Sequence, residues 1–226
     1  NDPSLRPQVD AGVALFITFE GGEGTGKTTH VGMLVDRLRA EGHPTVALRE
    51  PGGTPLGDYL RVWLKAEDRP MTPEAELLLF AAARAELVRT VVRPALEAGT
   101  HVVLDRYADS TTVYQGYGRG LPMAQVRAAN KLAMDGLSPD LTLLLEGELD
   151  QTLGRALART PGQLDDGGRR FEDEDFAFHR RVRKGFSRLA KRDPGRWVRL
   201  DTTGPPDDVH RRIWEAVERS RGVTEL

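Results

Sequence analysis

The stretch from Val13 to Thr28 restricts what this chain can become more than any other. Val13-Ala14-Leu15-Phe16-Ile17-Thr18-Phe19 is an apolar run that reads as a buried strand. After Glu20 comes Gly21-Gly22-Glu23-Gly24-Thr25-Gly26-Lys27-Thr28, a full G-x-x-x-x-G-K-T loop. Beyond it Val31, Leu34, Val35 and Leu38 recur at helical spacing. In a strand–loop–helix setting the glycines let consecutive backbone N–H groups turn inward around phosphate oxygens, and the helix N-terminus adds a favourable dipole. Gly21, Gly22, Glu23, Gly24, Thr25, Gly26, Lys27, Thr28 and Thr29 are therefore expected to hold nucleotide phosphates. Lys27 is expected to reach the β- and γ-phosphates, and Thr28 to offer its hydroxyl to Mg²⁺.

Four further apolar runs read as strands: Thr45–Leu48, His101–Leu104, Leu141–Leu145 and Trp197–Leu200. Most are continuous rather than alternating, as in strands covered on both faces. Thr72-Pro73-Glu74 has the form of an N-cap, a first-turn proline and a first-turn acid, and opens a helix expected to run to about Val92, ahead of Pro94. Further helices are expected at Leu56–Leu64, Met123–Met134, Leu149–Arg159, Phe176–Lys191 and Asp207–Arg219. The alternation predicts an α/β chain with a five-stranded parallel sheet and helices on both faces, the three-layer P-loop fold. Residues 1–12, polar and holding two prolines, are expected to be a flexible lead-in without the charged and apolar regions of a signal peptide. Residues 13–226 are expected to form one domain. Thr160–Arg170 is the one long loop inside it, and its length suggests a lid at about 159–172.

Composition removes several function classes. The formal net charge is −2, which does not suggest a general nucleic-acid or membrane binder. The absence of cysteine excludes disulfides, thiolate catalysis and zinc–thiolate sites. No apolar run approaches the roughly 18 residues of a membrane span. A soluble cytoplasmic enzyme is the expectation. Among phosphate-loop proteins, a GTPase needs N-K-x-D, and Asn130-Lys131-Leu132-Ala133 puts alanine where the guanine-reading acid belongs; the segment reads instead as a helix surface. A motor or transport ATPase usually carries extra domains, for which 226 residues leave no room. A small-molecule kinase needs only this length. Asp105, closing the strand His101–Leu104, stands where such an enzyme carries its metal-associated acid.

Asp105-Arg106-Tyr107, with Ser110 and Tyr114-Gln115-Gly116-Tyr117-Gly118-Arg119-Gly120, resembles the acceptor loop of thymidylate kinases. Arg49-Glu50-Pro51-Gly52-Gly53-Thr54, Leu79-Phe80-Ala81-Ala82-Ala83-Arg84 and Pro139-Asp140-Leu141-Thr142-Leu143-Leu144-Leu145 resemble that family's segment after the second strand, its nucleobase-binding helix and its fourth strand. The resemblance implies phosphorylation of dTMP to dTDP by the γ-phosphate of ATP in dTTP synthesis, with Mg²⁺ held by Thr28 and Asp105, and a homodimer. Nearest alternatives are a deoxynucleoside or other nucleotide kinase, and a nucleotide-binding regulatory module.

The same resemblance implies roles for single residues. Phe80 and Arg84 share a helix face; on spacing alone they read as core and solvated charge, whereas the family places a pyrimidine between ring and guanidinium. Arg106 and Arg61 are implied clamps on the acceptor phosphate, where Arg geometry suits a bidentate contact. Ser110, Thr111 and Gln115 are implied nucleotide contacts, and Tyr114 is implied to lie against the deoxyribose. Glu23 is the loop acid implied to face the acceptor. Glu23-Gly24-Thr25 contains no arginine, unlike the loop of some family members, so the transition-state arginine is expected from the lid, as Arg159 or Arg170.

Overall fold

A computed structural model describes residues 13–66, 68–158 and 170–222. Strand β1 (Phe16–Glu20) is central, and all five residues are buried. It pairs in parallel with β3 (His101–Asp105) on one side and β4 (Leu141–Glu146) on the other. β2 (Thr45–Arg49) lies outside β3 and β5 (Trp197–Asp201) outside β4, giving the order β2-β3-β1-β4-β5, all parallel. Helices α1 (Lys27–Ala40) and α9 (Pro206–Gly222) cover one face, where Ile17, Phe19, Val103, Leu143 and Leu145 meet Leu34, Leu38, Ile213 and Trp214. Side chains alternate along each strand, so Phe16, Val102 and Leu104 face the other layer, under α3 (Pro73–Leu87). Leu144 on that face packs with Tyr114, Phe178 and Phe186, the last two from α8 (Phe176–Arg192). The remaining helices are α2 (Pro55–Lys65), α4 (Arg93–Glu97), α5 (Ala108–Thr111), α6 (Met123–Met134) and α7 (Leu149–Leu157).

The expected sheet and most helices are present, with local departures. β1 starts at Phe16, three residues later than expected, because side chains intercept the backbone: Leu15 N donates to His101 Nδ1 and Phe16 N to Asp140 Oδ2. Thr72 caps α3 as expected, accepting from Ala75 N. That helix does not stop before Pro94. It widens into a π-helical turn at Val88–Val92 and continues as α4 with Pro94 inside. A wider turn relieves the clash between the proline ring and the carbonyl four residues back. The segment read as a loop after Asp105 is largely helical: α5 runs into a second π-helical stretch, Thr112–Gly118. Asn130, expected on a helix surface, is buried. The first twelve residues, and the part of the expected lid before Arg170, lie outside the described residues.

Candidate active site

Sheet register brings the phosphate loop and the β3 acid together. Phe19 on β1 is level with Asp105 on β3, so both strands end at one crevice, where open α/β sheets bind ligands. Thr28 Oγ1 donates to Asp105 Oδ2 at 2.8 Å. The loop is backbone-tight: Gly24 has φ +67°, and a Cβ there would lie 1.9 Å from the Thr152 carbonyl oxygen. Lys27 folds back on its own loop, donating to Gly22 O at 2.7 Å and Gly21 O at 3.2 Å. Burial, followed by the charge of Arg106, holds its ammonium down to about 8.

Arg106 anchors the opposite wall. It is a non-glycine residue at φ +69°, a conformation that persists only where surroundings enforce it. Buried Glu20 at the end of β1 does so, accepting from Tyr107 N at 2.9 Å, Ser110 N at 3.2 Å and Ser110 Oγ at 2.5 Å. Burial and the neighbouring negative charge of Asp109 push the Glu20 carboxyl up to about 8. The Arg106 guanidinium reaches Glu23 Oε1 at 2.6 Å, Gly21 O at 3.0 Å and Ser110 Oγ at 3.1 Å. Tyr114 donates to the same Glu23 oxygen at 2.7 Å. Burial alone would raise Glu23; the charges of Arg106 and Lys27 and the Tyr114 hydroxyl overcome it and bring it to about 2.

Glu23, Gly24, Lys27, Thr28, Asp105, Arg106 and Tyr114 line a cavity of about 980 Å³ that also takes in Arg49, Arg61, Lys65, Phe80, Arg84, Ser110, Thr111, Gln115, Phe171 and Glu172. Thr29 stands at its rim with Thr28. Burial and the nearby Arg49 lower Arg61 to about 10, and burial and Arg61 lower Lys65 to about 8. Arg49, Arg61 and Lys65 thus bring positive charge together on this wall. Arg84 is not a solvated charge: it is 1% exposed. Its Nε donates to Glu50 Oε2, Nη1 to Asn130 Oδ1 and Nη2 to Thr111 Oγ1.

Of the expected loop, acceptor and metal residues, those from Glu23 to Thr29 with Arg61, Phe80, Arg84, Asp105, Arg106, Ser110, Thr111, Tyr114 and Gln115 share one cavity, whereas Gly21 and Gly22 lie outside its lining. The expected lid arginines do not join them among the described residues. Arg170 donates to Arg69 O and pairs with Glu76 at 3.0 Å, off the cavity wall; Arg159 lies outside the described residues. Sequence reasoning missed Lys65, Glu20 and the Glu50–Asn130 support of Arg84. A lysine at the end of an exposed helix, or an asparagine inside one, carries no signal until the helices are packed.

The family model for thymidylate kinase matches residues 19–213. The thymidylate kinase of Synechococcus sp. (strain JA-3-3Ab) is 50% identical over 90% of this chain and 95% of its own length. That of Deinococcus radiodurans is 49% identical over 90% of this chain and 96% of its own length. The crystal structure of thymidylate kinase from Ehrlichia chaffeensis superposes with a TM-score of 0.72 at 30% identity, covering 90% of this chain and 98% of that one. With that geometry and these relatives, the chain belongs to the thymidylate kinase family.

Proposed function

We infer that the chain transfers the γ-phosphoryl group of ATP to dTMP, giving dTDP and ADP, a step of dTTP synthesis. The observation that carries this reading is one cavity lined together by the phosphate loop from Glu23 to Thr29, by Phe80 and Arg84, and by Arg106 and Arg61. The loop holds the ATP phosphates on backbone N–H groups and Lys27. Arg106 and Arg61 hold the acceptor phosphate in line with them. Phe80 stacks on the base, Tyr114 lies against the deoxyribose, and Ser110, Thr111 and Gln115 contact the nucleotide. Glu23 orients Arg106 on the acceptor side. Catalysis is then positioning and electrostatics, with no covalent phosphoenzyme.

Thr28 and Asp105 suit Mg²⁺, since a hydroxyl and a carboxylate 2.8 Å apart are hard oxygen donors that leave room for phosphate oxygens and water. When bound, the ion offsets charge on the β- and γ-phosphate oxygens. Residues 13–226 act as one kinase unit with a lid near 159–172, which supplies the arginine that the loop lacks. Arg159 is the better candidate, because Arg170 must first leave Glu76.

A homodimer is supported by an apolar surface on three helices packed side by side: Leu56, Tyr59, Val62 and Trp63 on α2, Leu78 on α3 and Leu132 on α6. No described helix is long and apolar enough to cross a membrane. The formal net charge of −2 gives no general attraction to nucleic acid, in line with small-molecule substrates and cytoplasmic work as part of this proposal.

The deciding experiment measures ADP formation across dTMP, dUMP, dCMP, AMP and thymidine. Activity that depends on dTMP is expected. Activity with thymidine in place of dTMP, or none with any acceptor, would overturn the reading.

A further inference from the structure

Glu76 sits in the first turn of α3, fully buried, and phosphoryl transfer makes no demand on it. Its Oε1 accepts from Gln115 Nε2 at 2.8 Å and Arg119 Nε at 3.1 Å. Its Oε2 accepts from Arg119 Nη2 at 3.2 Å and lies 3.0 Å from Arg170 Nη2. A carboxylate facing two guanidinium groups accepts and does not donate, so Gln115 has to turn its NH₂ toward it. The Gln115 carbonyl oxygen is thereby left on the opposite side of the amide, where it accepts no hydrogen bond from the described residues.

Gln115 lines the cavity with Thr111, Arg84 and Phe80. Thr111 lies four residues back and accepts from Arg84 Nη2. Glu50, Asn130 and Thr111 each take one guanidinium hydrogen bond of Arg84, on Nε, Nη1 and Nη2, and Nη2 also lies 2.6 Å from Glu50; among the described residues the second N–H on Nη1 has no partner. The wall beside Phe80 therefore offers a donor from Arg84 and an acceptor from Gln115. A pyrimidine-2,4-dione carries the complement, a carbonyl O4 next to an N3–H. Cytosine carries the reverse, an amine next to an unprotonated N3.

We propose that Glu76 is a specificity-determining positioning residue: by holding the Gln115 amide in one orientation, it makes the cavity select bases with an N3–H. This rests on the placement of the base against Phe80 given above. The pattern does not separate thymine from uracil, so dUMP follows dTMP in its response to each change below.

The test compares kcat/KM for dTMP, dCMP and N3-methyl-dTMP in four proteins: wild type, Glu76→Gln, Gln115→Met and the double change Glu76→Gln/Gln115→Glu. Wild type should favour dTMP over N3-methyl-dTMP by about tenfold or more, chiefly in KM. Glu76→Gln lets the amide turn over and should cut the dTMP preference about tenfold, with kcat at saturating dTMP within about threefold. The double change keeps an acceptor at position 115 and the total charge, so it should restore the preference. A purely structural Glu76 predicts equal losses for every acceptor, and that result, or an unchanged preference in folded Glu76→Gln, overturns the proposal. If Glu76→Gln does not fold, the double change decides, and loss of preference there overturns it too. An unchanged preference in Gln115→Met sinks more: the base then does not meet Gln115, and its placement against Phe80 falls as well.

Discussion

At Arg84 two demands meet on one side chain. It faces the acceptor cavity, and it also neutralises Glu50, a carboxylate whose burial pushes its pKa up despite the guanidinium beside it. Removing one partner of a buried pair strands the other, at a cost of about 3–5 kcal/mol, whereas replacing both by apolar groups of similar volume is often neutral. Arg84→Met should therefore lower the melting temperature and weaken dTMP binding together. Adding Glu50→Leu should recover the melting temperature but not the binding. Thermal melts and dTMP titrations of both variants check this; a single variant as stable as wild type would show that the pair does not carry Glu50. The pairing at 34 residues' separation is invisible in sequence, where Phe80 and Arg84 show only a shared helix face.

Among the elements, the phosphate loop is bounded by α7 as well as by its own glycines. A Cβ on Gly24 meets the Thr152 carbonyl, an atom that backbone geometry holds in place. Gly24→Ala should displace the loop, raising KM for ATP and lowering kcat by about tenfold or more while the sheet core stays folded. Unaltered steady-state constants in that variant would refute the close approach.

The β1–β3 edge has its own signature. Leu15 N donates to His101 Nδ1, and burial, with the charges of His43 and Arg221, holds His101 down to about 4. A histidine with a depressed folded pKa binds its proton more readily in the unfolded chain, so stability is lost as pH falls from about 6.5 toward about 4. Allowing for partial solvent screening, the loss between pH 7 and pH 5 is on the order of 1 kcal/mol. His101→Gln keeps an acceptor for Leu15 N and should flatten that dependence. Denaturant midpoints at the two pH values test it, and parallel slopes in both proteins would exclude His101 as the source.

On the scale of the whole molecule, α2 presents Tyr59, 64% exposed, in a stripe with Leu56, Val62 and Trp63, next to Leu78 and Leu132 on the helices beside it. Under the homodimer proposed above, these exposed apolar side chains form the interface. Tyr59→Arg combined with Val62→Arg should convert a dimer to a monomer by analytical ultracentrifugation, with the secondary structure unchanged. Sedimentation as a monomer before any substitution would remove the homodimer.

How far the sequence reaches depends on the range of the forces involved. The parallel sheet, the loop after β1 and the cap at Thr72 follow from local patterns: apolar runs, glycine spacing, a hydroxyl ahead of a proline. The resemblance to thymidylate kinases added the acceptor residues, because several motifs stand in order along the chain. Only the folded chain could bring Thr28 to Asp105, tie Arg106 to Glu23, bury Arg84 against Glu50 and Asn130, and turn Gln115 toward Glu76. Each of these joins residues 30 or more positions apart. Hydrogen-bond geometry and the cost of an unpaired buried charge select such partners, and those quantities exist only once the layers have closed around them.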